Sequence, residues 1–190
     1  MKKIIINAVV LAAFSLVLGF LLGAVYDITK GPIAEATRKK EMAAYKVVFA
    51  DADDFTEAEI NPEAVAAVTA AGYNLTTVDK VFVAIDKDKN EMGYVVQLTT
   101  NEGYNPPIVI VVGIRNDGTL NGFSVTSHNE TPGFGAEVVK PDYANKYNGI
   151  AASEIDSVEG YTGATVTTKA VKRAMNAAVV YANSLAGGEQ

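Results

Sequence analysis

The chain has no cysteine, no tryptophan and a single histidine, His128. Without cysteine there is no disulfide, no thiolate nucleophile, no cysteine-ligated iron–sulfur cluster or zinc, and no lipidated cysteine of a lipoprotein. One histidine with Glu130 beside it is too small a set for a metal centre, and more often such a side chain only makes hydrogen bonds. Positive charge is also scarce. Residues after Val25 hold all 22 acidic residues and 14 of the 16 basic ones, Lys2 and Lys3 being the other two, so this part carries a formal charge of −8. Nothing in it reads as a nucleic-acid surface. If the protein moves electrons, an organic cofactor must carry them.

Charge is absent altogether from residues 4–25. At about 1.5 Å per residue such a run makes a helix of roughly 33 Å, enough to span a bilayer. Lys2 and Lys3 precede it and the first acidic residue, Asp27, follows it, which puts the N-terminus in the cytoplasm and the rest outside. The alternative is a cleaved signal peptide with Gly23-Ala24-Val25 as a weak small-x-small site. The expected organisation is an anchor over residues 1–25 and one extracytoplasmic domain over 26–190.

Thr29-Lys30-Gly31-Pro32 reads as a break, with Pro32 in the first turn of a new amphipathic helix over 33–49. Asp51, Asp53 and Asp54 invite a calcium reading, but the glycine and distal glutamate of an EF-hand loop are missing, so they read as solvated. An alanine-rich helix is expected over 57–72, ended by Gly72. The period then changes to that of strands. Residues 81–85 and 93–99 form a hairpin across the turn 86–90. Residues 108–114 are a continuous β-branched run, as in a strand buried on both faces. A turn at Asn116-Asp117-Gly118 leads to a strand over 120–126. The predicted fold class is α+β: a transmembrane helix, then a mixed sheet with flanking helices.

Near the end, Glu159-Gly160-Tyr161-Thr162-Gly163-Ala164-Thr165 runs into a helical pattern. Apolar or small residues recur at Ala170, Val171, Ala174, Ala177, Ala178, Tyr181 and Leu185, with Lys169, Lys172 and Arg173 on the polar side. Thr165 falls at or just before the helix N-terminus, where unpartnered N–H groups and the dipole favour an anion, phosphate above all. The plain alternative is a helix cap, since threonine is a common one.

Thr162-Gly163-Ala164-Thr165, with Glu159 three residues ahead, resembles the flavinylation motif Asp-x-x-(Ser/Thr)-Gly-Ala-Thr of the FMN-binding domain family. That family includes the G subunit of the Rnf complex and the C subunit of the sodium-pumping NADH:quinone reductase. Glu159 stands where the family usually has aspartate. The resemblance implies covalent FMN on Thr165 through a phosphoester, placed by a flavin transferase, with Thr162, Gly163, Ala164, Thr167 and Lys169 beside it.

A second segment, His128-Asn129-Glu130-Thr131-Pro132-Gly133-Phe134-Gly135, is similar to the His-x-Glu-Thr-Pro-Gly-(Leu/Phe)-Gly loop of the same group. The resemblance lays this loop against the flavin. It makes Glu130 and Thr131 contacts to the ring or ribityl chain, with His128, Pro132, Gly133 and Gly135 in the same site. Gly103-Tyr104-Asn105-Pro106-Pro107-Ile108 matches the family's Gly-Tyr-x-x-x-Ile segment, adding Tyr104, with prolines where the family has glycine and its neighbour.

The function so implied is that of a membrane-anchored electron-transfer subunit in an ion-translocating Rnf-type ferredoxin:NAD oxidoreductase. It would have no catalytic residues, no metal and no turnover of its own. Its partners would be the other membrane subunits of the complex, the transferase and membrane lipid, and its place the cell (inner) membrane as a single-pass protein. The alternatives are a stand-alone anchored FMN carrier, the C subunit of a sodium-pumping reductase, or a non-redox assembly protein whose threonine-rich turn is only a cap.

Overall fold

The structure is a computed structural model and describes residues 2–186. The chain divides into two compact units, residues 1–41 and 42–190. The first unit is occupied by helix α1 (Lys2–Val48), whose last turns belong to the second unit. An 18-residue window of α1 has a mean hydropathy of 2.6 with none of it buried. It is thus long and apolar enough to cross a membrane.

The expected break at Thr29-Lys30-Gly31-Pro32 does not occur, because Pro32 lies inside α1. Proline has no N–H for the Ile28 carbonyl, so a single rung of the ladder is lost while both flanks stay helical. The Thr29 hydroxyl donates back to the Val25 carbonyl at 2.8 Å, and Lys30–Asp27 and Lys39–Glu35 pair along the surface.

The second unit is built on a six-stranded sheet whose spatial order follows the chain. The strands are β1 (Asp54–Ala58), β2 (Thr76–Ile85), β3 (Glu91–Thr100), β4 (Ile108–Arg115), β5 (Thr119–Ser127) and β6 (Ile150–Ala151). The α+β class is what the chain adopts. Every pairing is antiparallel rather than mixed, because each of the first five strands is followed by its own neighbour. The β2–β3 turn is fixed by Asp86, whose Oδ1 accepts from the Asp88 and Asn90 amides at 2.8 Å each. Strand β4 is buried on both faces, as its unbroken apolar run requires.

The two sheet faces carry separate cores. Val96, Leu98, Ile110, Val112 and Ile114 pack with helix α2 (Pro62–Ala70) and the long helix α5 (Thr165–Ala186). Val95 and Val111 pack with Tyr45, Val48 and Phe49 at the end of α1. There the backbone comes so close that a Cβ on Gly113 would lie 2.7 Å from the Val48 carbonyl oxygen.

The helix expected over 57–72 begins only at Pro62, with Asn61 as its cap. Residues 54–58 instead pair with β2, since Phe55 buries its ring on the sheet. Asp51 is not merely solvated: its Oδ2 pairs with Arg115 Nη2 at 2.7 Å. Between β5 and α5 the chain forms two one-turn helices, α3 (Gly135–Val138) and α4 (Pro141–Ala144), and two 3-10 turns. Val138, Tyr147 and Ile155 anchor this stretch in the core.

Candidate functional site

Helix α5 starts at Thr165. Its approach is a tight turn: Gly163 has φ +85°, and the Ala164 amide donates to the Tyr161 carbonyl at 3.0 Å. The first helical rung runs from the Thr168 amide to the Ala164 carbonyl at 2.9 Å. Ala164 therefore holds the capping position and has no side-chain oxygen to offer the N–H groups of the first turn. Thr168 turns its hydroxyl backward to accept from the Tyr161 amide at 3.2 Å. Thr165 itself is exposed, and among the described residues no hydrogen bond ties its hydroxyl. Behind the turn, Lys172 Nζ donates to the Asp156 carbonyl at 2.9 Å and so holds the strand of chain leading to Glu159.

The first turn of α5 faces the loop that follows β5. Glu130 on that loop is 4% exposed, and each of its carboxylate oxygens accepts one hydrogen bond. Oε2 takes the Thr167 hydroxyl at 2.7 Å, and Oε1 takes the Asn105 backbone amide at 3.0 Å. Asn105 Nδ2 also donates to Thr131 Oγ1 at 3.2 Å. The loop before β4 is thus tied to the loop after β5. Its other side is held by Glu102, which pairs with the guanidinium of Arg173, and Arg173 Nη2 donates to the Gly72 carbonyl at 2.7 Å. The Glu102 carboxylate holds the Arg173 pKa above its ordinary value.

Between these segments lies a cleft of about 460 Å³. Tyr104, Glu130, Thr131, Gly135, Gly163, Ala164, Thr165 and Thr167 line it, so three sequence segments far apart in the chain meet in one place. Phe134 and Val166 complete the lining, 57% and 48% exposed, and were not singled out from the sequence. Phe134 sits inside one motif and Val166 directly follows the other, in the first turn of α5, and the available signal was a large apolar side chain next to motif residues. The ring of Phe134 lies over Gly163, where a Cβ would stand 3.7 Å from Cδ1.

The remaining expected residues lie off the lining. Pro132 and Gly133 form the turn of the loop, Gly133 at φ +80°. His128 is exposed, and its Nδ1 accepts from the Glu130 amide at 3.2 Å. Thr162, in the turn before α5, and Lys169, one turn into it, are exposed. Among the described residues no group of three His, Cys, Asp or Glu side chains is placed to hold a metal ion.

The cleft suits a small ligand with an anionic end and an apolar body. Its volume is within the usual small-molecule range of about 300–1,000 Å³. One end is the uncapped start of a 22-residue helix carrying a free hydroxyl. The rim supplies Tyr104, Phe134 and Val166, and Gly135 and Gly163 let backbone approach closely.

The chain matches the family model described as FMN-binding domain over residues 103–180 and the one described as RnfG N-terminal region over residues 1–48. It is 28% identical over 180 residues to the G subunit of the proton-translocating ferredoxin:NAD(+) oxidoreductase complex of Clostridium ljungdahlii, covering 90% of this chain and 87% of the relative. It is 27% identical over 195 residues to the G subunit of the ion-translocating oxidoreductase complex of Methanosarcina acetivorans, covering 97% and 96%. Among solved structures, a crystal structure of Shewanella oneidensis NqrC superimposes with a TM-score of 0.49 at 21% identity, covering 67% of this chain and 71% of that one.

Proposed function

The chain belongs to the FMN-binding domain family, and from that premise we propose that it carries FMN covalently on Thr165 as the G subunit of an ion-translocating Rnf-type complex. The observation that carries this reading is the state of Thr165 itself. It is the first residue of α5, exposed, lining the cleft, with its hydroxyl unengaged. A capping threonine would sit one position earlier and turn its oxygen onto the helix amides, and that position is Ala164.

In this reading Thr165 Oγ becomes the ester oxygen. Its bond to phosphorus forms as the phosphorus–oxygen bond to the leaving group of an activated flavin phosphate donor breaks, and the hydroxyl proton is lost to base. The amides of the first turn of α5 would hold the phosphate, which the helix dipole would stabilise. Lys169, one turn along and exposed, adds positive charge beside it. Tyr104, Phe134 and Val166, which line the cleft, would hold the apolar part of the ligand. Bound FMN supplies the electron-transfer chemistry, which the polypeptide's own side chains do not.

The same reading makes α1 the membrane anchor. Its hydropathy and the Lys2-Lys3 pair ahead of the apolar run support an N-terminus in the cytoplasm and an FMN-bearing domain, from about residue 26, on the other side. The partners are a flavin transferase during maturation, membrane lipid around α1, and the other subunits of a redox complex, as the names of the two relatives indicate for those proteins. The test is the intact mass of the full chain co-expressed with a flavin transferase, for wild type and Thr165→Ala. A gain of one FMN less one water in wild type alone supports the tether. Equal masses, with the transferase active on a control acceptor, would refute it.

A further inference from the structure

We propose that Glu130 is a positioning residue that stands in for the missing N-cap of α5, holding Thr165 in place from a separate loop while leaving the helix amides open to phosphate. The proposal rests on the reading of Thr165 as the FMN tether. A helix N-terminus is normally kept in order by a capping side chain that occupies one of its amides. Ala164 has no such side chain, so the first turn of α5 needs another restraint. Glu130 provides it without touching an amide of that turn: its Oε2 takes the Thr167 hydroxyl at 2.7 Å.

Its other oxygen takes the Asn105 amide at 3.0 Å, so one carboxylate sets the helix start against the loop that bears Tyr104. The backbone is shaped around the group on two sides. A Cβ on Gly103 would lie 2.6 Å from Oε1, and one on Gly135 would lie 2.2 Å from Oε2. Glu130 is 4% exposed with both oxygens already engaged by the protein, which fits a frame for the site better than a ligand contact.

Glutamine is the discriminating substitution. Its carbonyl can still accept from Asn105, and its amide can donate to the Thr167 oxygen, because a hydroxyl serves as donor or acceptor. Alanine leaves both partners without Glu130. The experiment measures the rate of FMN transfer to the full-length chain in detergent, by mass, with a purified flavin transferase at varied concentrations of acceptor chain. Glu130→Ala is expected to lower kcat about 10- to 100-fold, as a misplaced nucleophile does, with KM for the acceptor little changed. Glu130→Gln is expected to restore kcat to near wild type. Wild-type kcat for Glu130→Ala would overturn the proposal, and so would a Glu130→Gln variant as slow as alanine, since charge rather than position would then be needed.

Should Glu130→Ala lose its cooperative melt, Thr167→Val and Thr167→Ser replace it. Valine should slow transfer and serine restore it, and a wild-type rate for valine overturns the proposal. Thr165→Ala run alongside separates the two readings. Mass gain in that variant refutes the tether itself, whereas its absence with unimpaired Glu130 variants refutes only the role of Glu130.

Discussion

Gly135 lies so close to Glu130 that a methyl group on its Cα would stand 2.2 Å from Oε2 and 2.6 Å from Thr167 Oγ1. Its backbone needs no left-handed conformation, so the requirement for glycine there is one of space. Gly135→Ala must push the carboxylate off the threonine, and overpacking of this kind costs about 1–3 kcal/mol. Gly133, two residues earlier, poses the opposite case: φ is +80° with nothing within 4 Å of an added Cβ. Alanine there is strained only in its backbone, by about 1–2 kcal/mol. Chemical denaturation should show both losses. Only Gly135→Ala should also slow FMN transfer, since only it displaces Glu130.

Helices α2 and α5 are joined by a buried tyrosine. The Tyr181 hydroxyl accepts from the Asn61 amide at 2.9 Å, and the Asn61 side chain caps α2 through the Glu63 and Ala64 amides. Tyr181→Phe leaves an amide without its partner and should cost about 1–3 kcal/mol. Asn61→Ala should cost about 1 kcal/mol through the lost cap. The amide bonded to Tyr181 belongs to the backbone and survives that change, so the two losses should add in the double variant. A marked shortfall from additivity would mean that capping and the tyrosine contact are one cooperative unit.

Acid sensitivity has an identifiable source at the Asp51–Arg115 pair. The hydrogen bond from Arg115 holds the Asp51 carboxyl below its ordinary value of 3.8. A carboxylate depressed in the folded state contributes stability above its unfolded pKa and loses it as pH falls through the folded one. Asp51→Asn should therefore be less stable than wild type near neutrality, with the difference shrinking as pH falls below 3.8 and vanishing once it has passed the lower folded value. Both side chains are partly exposed, at 48% and 33%, so the effect is limited to about 0.2–1 kcal/mol and shrinks in high salt. Melting of the two proteins across acid pH checks the sign, and a gap that widens as pH falls would contradict it.

What the sequence made legible was whatever repeats. The apolar periods of β2 to β5 and α5 are set by a sheet with two covered faces, and the pattern shows directly which residues those faces bury. Strand β1 was illegible because only Phe55 among its five residues is buried, and its acidic and alanine neighbours read as helix. The one-turn helices after Gly135 are too short to have a period and are held by single anchors such as Tyr147. Pro32 misled because a lone proline looks like a boundary whether or not the flanks can bridge it. At the candidate site, the motif residues were legible through their resemblance to a known family, since residue type and spacing alone also fit a helix cap. The bond from the Asn105 amide to Glu130 was not, since a backbone donor leaves no trace in residue identity.

The loop before β4 is also held from α5, and this gives a test of how Tyr104 reaches the cleft. Arg173 pairs with Glu102, donates to the Gly72 carbonyl and lies over the Tyr73 ring at 5.1 Å. Lysine keeps the charge but has no planar fork to serve these partners together. Arg173→Lys should cost roughly 1 kcal/mol locally, equivalent to about fivefold faster opening of the peptide around Glu102, whose amide donates to Thr100 Oγ1. Amide hydrogen exchange of that peptide reads the change directly, with the β3 and β4 amides as an internal reference. Since Asn105 remains tied to Glu130, the opening should stop short of Tyr104 losing its place, and FMN transfer should hold near the wild-type rate. Transfer that falls together with exchange protection would instead make the Glu102–Arg173 pair the main support of the cleft, with Glu130 secondary to it.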